Sequence, residues 1–138
     1  QMAGLFNACD CYVAPSFGEG FNLPALQAMA CGKPVIATDW SGHEEFISKD
    51  IALPLGVDRI EPVDPVMLQK DFNYANHLWA VPNALHLARL MKWCYENREK
   101  ASKLGEVARE FVKNNFTHEK MGLAIQSKME QYKKKDFF

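Results

Sequence analysis

The sequence lacks the features of several large protein classes. Its 138 residues carry a formal net charge of -1, whereas a nucleic-acid-binding domain normally has a basic surplus or a basic stripe. No apolar run approaches the roughly 20 residues of a membrane-spanning helix. The basic run Lys133–Lys135 is shorter than the usual membrane-binding cluster, so we expect a solvated tail, with an anionic-membrane patch as the alternative. We therefore expect no nucleic-acid partner.

The cysteines are not arranged for metal binding. The four cysteines form no Cys-x-x-Cys pair, and no histidine stands at metal-ligand spacing from them. They are Cys9, Cys11, Cys31 and Cys94. We expect free, mostly buried thiols in a reducing compartment and no metal site. This points to a cytoplasmic protein, with peripheral attachment at the inner face of a membrane as a second possibility.

What the sequence does contain is a βαβ pattern near its start. Residues 11–14 and 34–38 are short apolar runs typical of buried parallel strands, and a small-residue helix is predicted over 23–31 between them. A helix ends near residue 9 before the first strand. The spacing predicts an α/β domain with a parallel sheet. Because 48% of the residues are hydrophobic, the chain can bury a core.

The remainder divides into an irregular part and a helical part. Residues 48–82 alternate short apolar pieces with prolines, which predicts an irregular insertion with a β-hairpin at most. Three helices are then predicted, from the cap Asn83, over 99–114, and from the cap Thr117 to about residue 132. Their apolar stripes are expected to belong to the core.

The loop before the first predicted helix has the chemistry of a nucleotide-sugar site. Glycines and Asn22 allow positive φ there, and a helix N-terminus attracts phosphate through its unpaired amides. Glu19 would repel that phosphate but would bind the hydroxyls of an attached sugar with charge-assisted hydrogen bonds. Gln27, one turn into the helix, would reach a ribose. The alternative is that Glu19 interacts only with the helix dipole.

These residues carry a family resemblance. The string PSxxEGFxLPxxxAMACGxPVIAT over residues 15–38 resembles the signature of group 1, family-four retaining glycosyltransferases of the GT-B architecture. The resemblance continues through Ser41-Gly42 and Glu45, the WAxP stretch at 79–82 and the FTHE opening of the last helix at 116–119. It implies a Rossmann-like parallel sheet with flanking helices, forming part of a C-terminal donor-binding domain.

The same resemblance implies roles for individual residues. Glu19 is the expected catalytic residue, which holds donor-sugar hydroxyls, and Gln27 stands where the family usually has a ribose-binding glutamate. The other expected donor-binding residues are Ser16, Gly20, Phe21, Asn22, Leu23, Ser41 and Gly42. Neither His43 nor His118 falls where the family places its catalytic histidine, so each is expected to be a surface or cap-region residue.

The resemblance also implies an organisation and a reaction. Residues 1–116 would be a partial nucleotide-sugar-binding domain, and the helix over 117–138 would cross toward an N-terminal Rossmann domain outside this sequence. The parent enzyme would transfer a hexosyl group from a donor such as UDP- or GDP-hexose to a sugar or glycan hydroxyl with retention, without cofactor or metal, and this piece alone would not turn over. The alternatives are another GT-B enzyme, such as an epimerase or a phosphorylase, or a degenerate domain used for assembly.

Overall fold

The fold is the predicted α/β arrangement, seen in a computed structural model that describes residues 2–70 and 72–133. Gln1 and residues 134–138 lie outside the described residues, and with them most of the basic run and the end of the predicted last helix. The chain begins with helix α1 (Met2–Asn7), which agrees with the helix predicted before the first strand.

A parallel sheet of three strands forms the centre of the molecule. Its strands are β1 (Tyr12–Ala14), β2 (Val35–Thr38) and β3 (Leu53–Leu55), in that spatial order. In the register, Val13 lies opposite Ile36, which lies opposite Leu53. Every residue of β2 is buried, as expected for the central strand of a sheet that is covered on both faces. The predicted βαβ unit and its parallel pairing are confirmed.

Helix α2 (Leu23–Ala30) joins β1 to β2 and contributes most to the core. Its buried residues are Ala25, Leu26, Ala28 and Met29. They pack with Phe6 from α1, with residues of β2, and with Ala108 and Val112 from a later helix. The chain turns after α2 at Gly32, whose φ of 73° lies in the left-handed region that favours glycine.

The insertion over 48–82 is more regular than predicted. Leu53–Leu55 forms the third parallel strand, so the prediction of an irregular segment is wrong there. Pro54 misled the interpretation, because proline is normally excluded from strands; β3 is an edge strand, where a missing N–H is tolerated. The hairpin is confirmed: β4 (Val57–Pro62) pairs antiparallel with β5 (Leu78–Pro82). Between them lie helix α3 (Pro65–Lys70) and a 3₁₀ turn (Phe72–Tyr74).

Three helices complete the chain, as predicted. They are α4 (Ala84–Glu96), α5 (Arg98–Asn115) and α6 (His118–Lys133). The Oδ1 atom of Asn83 accepts a hydrogen bond from the amide of His86 at 2.5 Å. The hydroxyl of Thr117 likewise accepts from the amide of Lys120 at 3.2 Å. Both predicted N-caps are therefore confirmed.

The predicted apolar stripes of α4 and α6 are not core, and that expectation is wrong. No residue of either helix is fully buried. Tyr95 on α4 is 72% exposed, and Met121, Ile125 and Met129 on α6 are all more than half exposed. A helical repeat of apolar residues identifies a face but not the surface that covers it. In the part of the chain that the structure describes, no helix has the length and apolar character needed to cross a membrane.

The cysteines are free, as predicted, but they are less buried than predicted. Cys9 is exposed and the other three are partly buried. The Sγ atoms of Cys11 on β1 and Cys94 on α4 lie 3.9 Å apart. The hydrogen bond between the two thiols raises the pKa of Cys11, which burial raises further, and the same bond lowers the pKa of Cys94. Cys94 is therefore the thiol of the pair that ionises first.

Candidate functional site

The candidate site lies at the carboxyl edge of the parallel sheet. Parallel strands end at one edge, so the loops that follow them meet there, and ligands of open α/β sheets bind at that edge. The loop over 15–22 follows β1, and β2 is followed by residues 39–40 and a 3₁₀ turn (Ser41–Glu45). The β4–β5 hairpin begins one residue after β3 and joins the first loop through a hydrogen bond from the amide of Ala80 to the carbonyl of Phe17, at 2.9 Å.

Ser41 and Gly42 hold the loop that carries Glu19. The Ser41 hydroxyl accepts a hydrogen bond from the amide of Glu19 at 3.0 Å and donates to its carbonyl at 3.2 Å. The amide of Gly42 donates to the same carbonyl at 3.1 Å. A Cβ on Gly42 would lie 2.7 Å from the Glu19 carbonyl oxygen and 2.6 Å from the carbonyl carbon of Gly20. Only glycine allows this approach.

Asn22 fixes the junction between the loop and α2. Its φ of 64° is left-handed, as predicted, and its Oδ1 accepts from the amide of Ala25 at 3.1 Å. Its Nδ2 donates to Nε2 of His43 at 2.8 Å, and Nδ1 of His43 donates to the Thr38 carbonyl at 2.8 Å. The Thr38 carbonyl can only accept, so these contacts select the tautomer protonated at Nδ1.

The expectation for His43 is a surface or cap-region position; it is buried, so a surface position is wrong, and it contacts the N-cap residue Asn22 instead. It is 1% exposed and supports the cap of α2. The sequence concealed this role because the partner stands 21 residues earlier. His118, in contrast, is exposed and is the first residue of α6, in agreement with the expected cap-region position.

The start of α2 retains unpaired backbone donors. Within the described residues, the amides of 20–23 donate no hydrogen bond, whereas that of Ala25 is capped by Asn22. Leu23 is 62% exposed, so this turn is open to solvent. The Phe21 ring points inward, with its centroid 5.4 Å from that of Phe46 and 6.0 Å from that of Phe116. Phe21 therefore offers the loop only its main chain.

The remaining predicted site residues differ in how accessible their side chains are to a ligand. The Glu19 carboxylate is half-buried and, among the described residues, makes no ion pair or hydrogen bond. Burial, and to a lesser extent the negative charge of Glu19, raise the pKa of Tyr12. Gln27 is exposed on α2. The Ser16 hydroxyl is buried and has no partner within the described residues, so it is not presented to solvent.

A cleft of about 610 Å³ opens beside Glu19. Its lining combines Gly18, Glu19, Gly20 and Ser41 with residues that come largely from the insertion. The lining residues that the sequence interpretation missed are Phe17, Trp40, Val63, Met67, Tyr74, His77, Leu78 and Trp79. Their distance in sequence from the motif hid them, although the density of aromatics in 72–79 was a usable signal. The described residues contain no group of three or more potential metal ligands.

Comparison with known proteins agrees with this geometry. Residues 1–61 match the family Glycosyl transferases group 1. That segment contains the loop with Glu19, helix α2 and strand β2. Over these 61 residues the chain is similar to the group 1 glycosyltransferases. The resemblance of the 15–38 string is thereby confirmed, and the transferase segment includes both loops that meet at the Glu19 side of the cleft.

Individual relatives match this chain over different lengths. A D-inositol 3-phosphate glycosyltransferase of Paenarthrobacter aurescens is 48% identical over 48 residues, which are 35% of this chain and 12% of that enzyme. Sucrose-phosphate synthase from Thermosynechococcus elongatus superimposes with a TM-score of 0.67 and 27% identity, covering 93% of this chain and 26% of that structure. This chain therefore spans only a small part of the length of either protein.

The fold has a further neighbour with bound ligands. Anabaena HepE in complex with UDP and glucose superimposes with a TM-score of 0.71 over 94% of this chain and 29% of that chain, at 19% identity. At that identity the likeness shows the fold alone. The Rossmann-like α/β fold predicted from the sequence, as part of a GT-B glycosyltransferase, is confirmed by these structures.

Proposed function

We propose that this chain binds the nucleotide-sugar donor of a retaining hexosyltransferase at the carboxyl edge of its sheet. One observation carries the proposal: four consecutive unpaired amides, 20–23, lie beside a carboxylate without a partner, Glu19, at the mouth of a helix. The amides and the helix dipole suit a diphosphate, and the carboxylate suits sugar hydroxyls. Neither group has a competing partner in the described part of the chain.

The proposed chemistry is electrostatic and positional. In the parent enzyme, the diphosphate would leave as the acceptor hydroxyl attacks from the same face, and a phosphate oxygen would take the acceptor proton. The amides of 20–23 would stabilise the charge that develops on the leaving group. Glu19 would fix the orientation of the sugar. Glu19 is itself held in place by the three hydrogen bonds that Ser41 and Gly42 make to its main chain. Such a step needs no nucleophile from the protein.

Calorimetric titration of this chain with UDP-, GDP- and ADP-glucose tests the proposal. We expect binding of at least one of them, and Glu19→Gln should weaken it at least tenfold without changing the melting temperature. Glu106→Gln is the matched control, because Glu106 is exposed on α5, away from the cleft. Absence of binding by any sugar nucleotide would support the second candidate, a degenerate domain that serves assembly.

Gln27 provides a separate test of the ribose end. A carboxylate accepts stronger hydrogen bonds from hydroxyls than an amide does, by about 1 kcal/mol, which corresponds to roughly fivefold in affinity. Gln27→Glu should therefore tighten the binding of UDP itself. Gln126→Glu on α6 is the control, since Gln126 is exposed and lies on a helix without buried residues. Equal or weaker binding by the Gln27 variant would remove Gln27 from the ribose.

A further inference from the structure

The β4–β5 hairpin is attached to the loop that carries Glu19. The amide of Ala80 on β5 donates to the carbonyl of Phe17 at 2.9 Å, which extends the hairpin onto that loop. The rings of Phe17 and Trp79 pack with centroids 4.8 Å apart. The indole N–H of Trp79 donates to the Glu61 carboxylate on β4 at 3.4 Å. Hairpin and loop thus form one continuous surface along the cleft.

Four aromatic side chains line the same cleft as Glu19, and we call them the aromatic wall: Phe17, Trp40, Tyr74 and Trp79. Phe17 is 41% exposed and Tyr74 is 44% exposed. Burial of large rings is strongly favourable, so rings left open around a concave surface are typical of a binding site. His77 adds a polar group to the same lining.

Contacts outside the wall also hold the hairpin in place. The hairpin is fastened by other residues of the insertion, since Val63 is 6% exposed and Ala80 is fully buried. The amide of Val63 also donates to the carbonyl of His77 at 3.2 Å, which closes the segment between the two strands. Tyr74 lies in the 3₁₀ turn, outside both strands. Its ring contributes to the cleft more than to the core.

We propose that the aromatic wall selects which pyranose ring binds in the cleft beside Glu19. A pyranose has an apolar C–H face that stacks on aromatic rings and hydroxyls around its edge that bond to carboxylates. The cleft offers both, and its volume of about 610 Å³ falls within the range of small-molecule sites. This inference rests on the donor site proposed above and assigns its specificity to the insertion.

Two sources can supply such a ring, the donor or a free sugar. Calorimetry with paired ligands separates them: UDP against UDP-glucose, and glucose alone against glucose in the presence of UDP. The same pairs are run with GDP and ADP. The variants are Tyr74→Ala and Trp79→Ala. Trp79 also packs on Phe17, so its replacement can destabilise the protein. Tyr74→Ala then provides the test without that contact. Tyr95→Ala, with its ring exposed on α4 away from this cleft, is the matched control.

The expected result is nucleotide affinity within twofold of the unsubstituted protein and sugar binding weakened at least fivefold. If the cleft holds the donor sugar, the substitutions should reduce the affinity difference between UDP-glucose and UDP. If it holds a free sugar, they should reduce the affinity for glucose measured in the presence of UDP. Unchanged sugar binding in both arms, with nucleotide still bound, would overturn the role of the wall alone. If no nucleotide binds, the donor proposal fails, and lack of glucose binding as well would overturn the pyranose site.

Discussion

Replacing Asn22 removes three separate contributions, whose sizes can be worked out from its contacts. Alanine would lose the cap of the Ala25 amide, which costs about 1 kcal/mol. It would also have to adopt a φ of 64°, which costs a side chain about 1 kcal/mol. Nε2 of His43 would lose its donor while remaining buried, at a cost of about 1–3 kcal/mol. The sum is about 3–5 kcal/mol.

Glycine at the same position separates these contributions. Glycine adopts the left-handed conformation freely and serves as an N-cap at a cost of only a few tenths of a kcal/mol. Asn22→Gly should therefore lose mainly the bond to His43, and the variant should be about 2 kcal/mol more stable than Asn22→Ala. Because a domain of this size is stable by only about 5–15 kcal/mol, both differences are large enough to measure.

Urea denaturation followed by tryptophan fluorescence measures the free energy of unfolding of both variants. His43→Ala and the double variant Asn22→Ala/His43→Ala complete a double-mutant cycle. The two single substitutions remove the same hydrogen bond, so their effects should fall short of additivity by about 1 kcal/mol. Equal stability of the alanine and glycine variants would contradict the left-handed strain. Strict additivity in the cycle would contradict the Asn22–His43 bond.

Three further outcomes follow from glycines and thiols. Gly42→Ala should weaken nucleotide binding at least tenfold, because the new Cβ meets only main-chain atoms of the Glu19 loop; binding that survives unchanged would contradict that packing. Gly122→Ala on α6 meets nothing within 4 Å and should raise helicity and stabilise that helix by about 1 kcal/mol, measured by circular dichroism; a loss of helicity would refute this. Cys94 should be alkylated before Cys11 as pH rises, because its lowered pKa forms thiolate at lower pH; the reverse order in a peptide map would refute the pairing.

The sequence by itself determined the βαβ unit and the loop with Glu19. The apolar runs around 11–14 and 34–38 are too short and too continuous for surface helices, and Asn22 and Gly32 stand where left-handed backbone is observed. Both N-caps, Asn83 and Thr117, are also local, because each side chain bonds an amide three residues later. Interactions between residues that are close in sequence can be predicted without knowing the fold.

Only the tertiary structure decided what lies opposite those residues. The Asn22–His43 bond, the approach of Gly42 to the Glu19 loop and the docking of Ala80 on Phe17 join residues that are distant in the chain. Periodicity likewise could not show that the apolar face of α6 has no cover within the described residues. An amphipathic pattern records which side of an element is apolar, and the packing of the whole chain decides what meets that side.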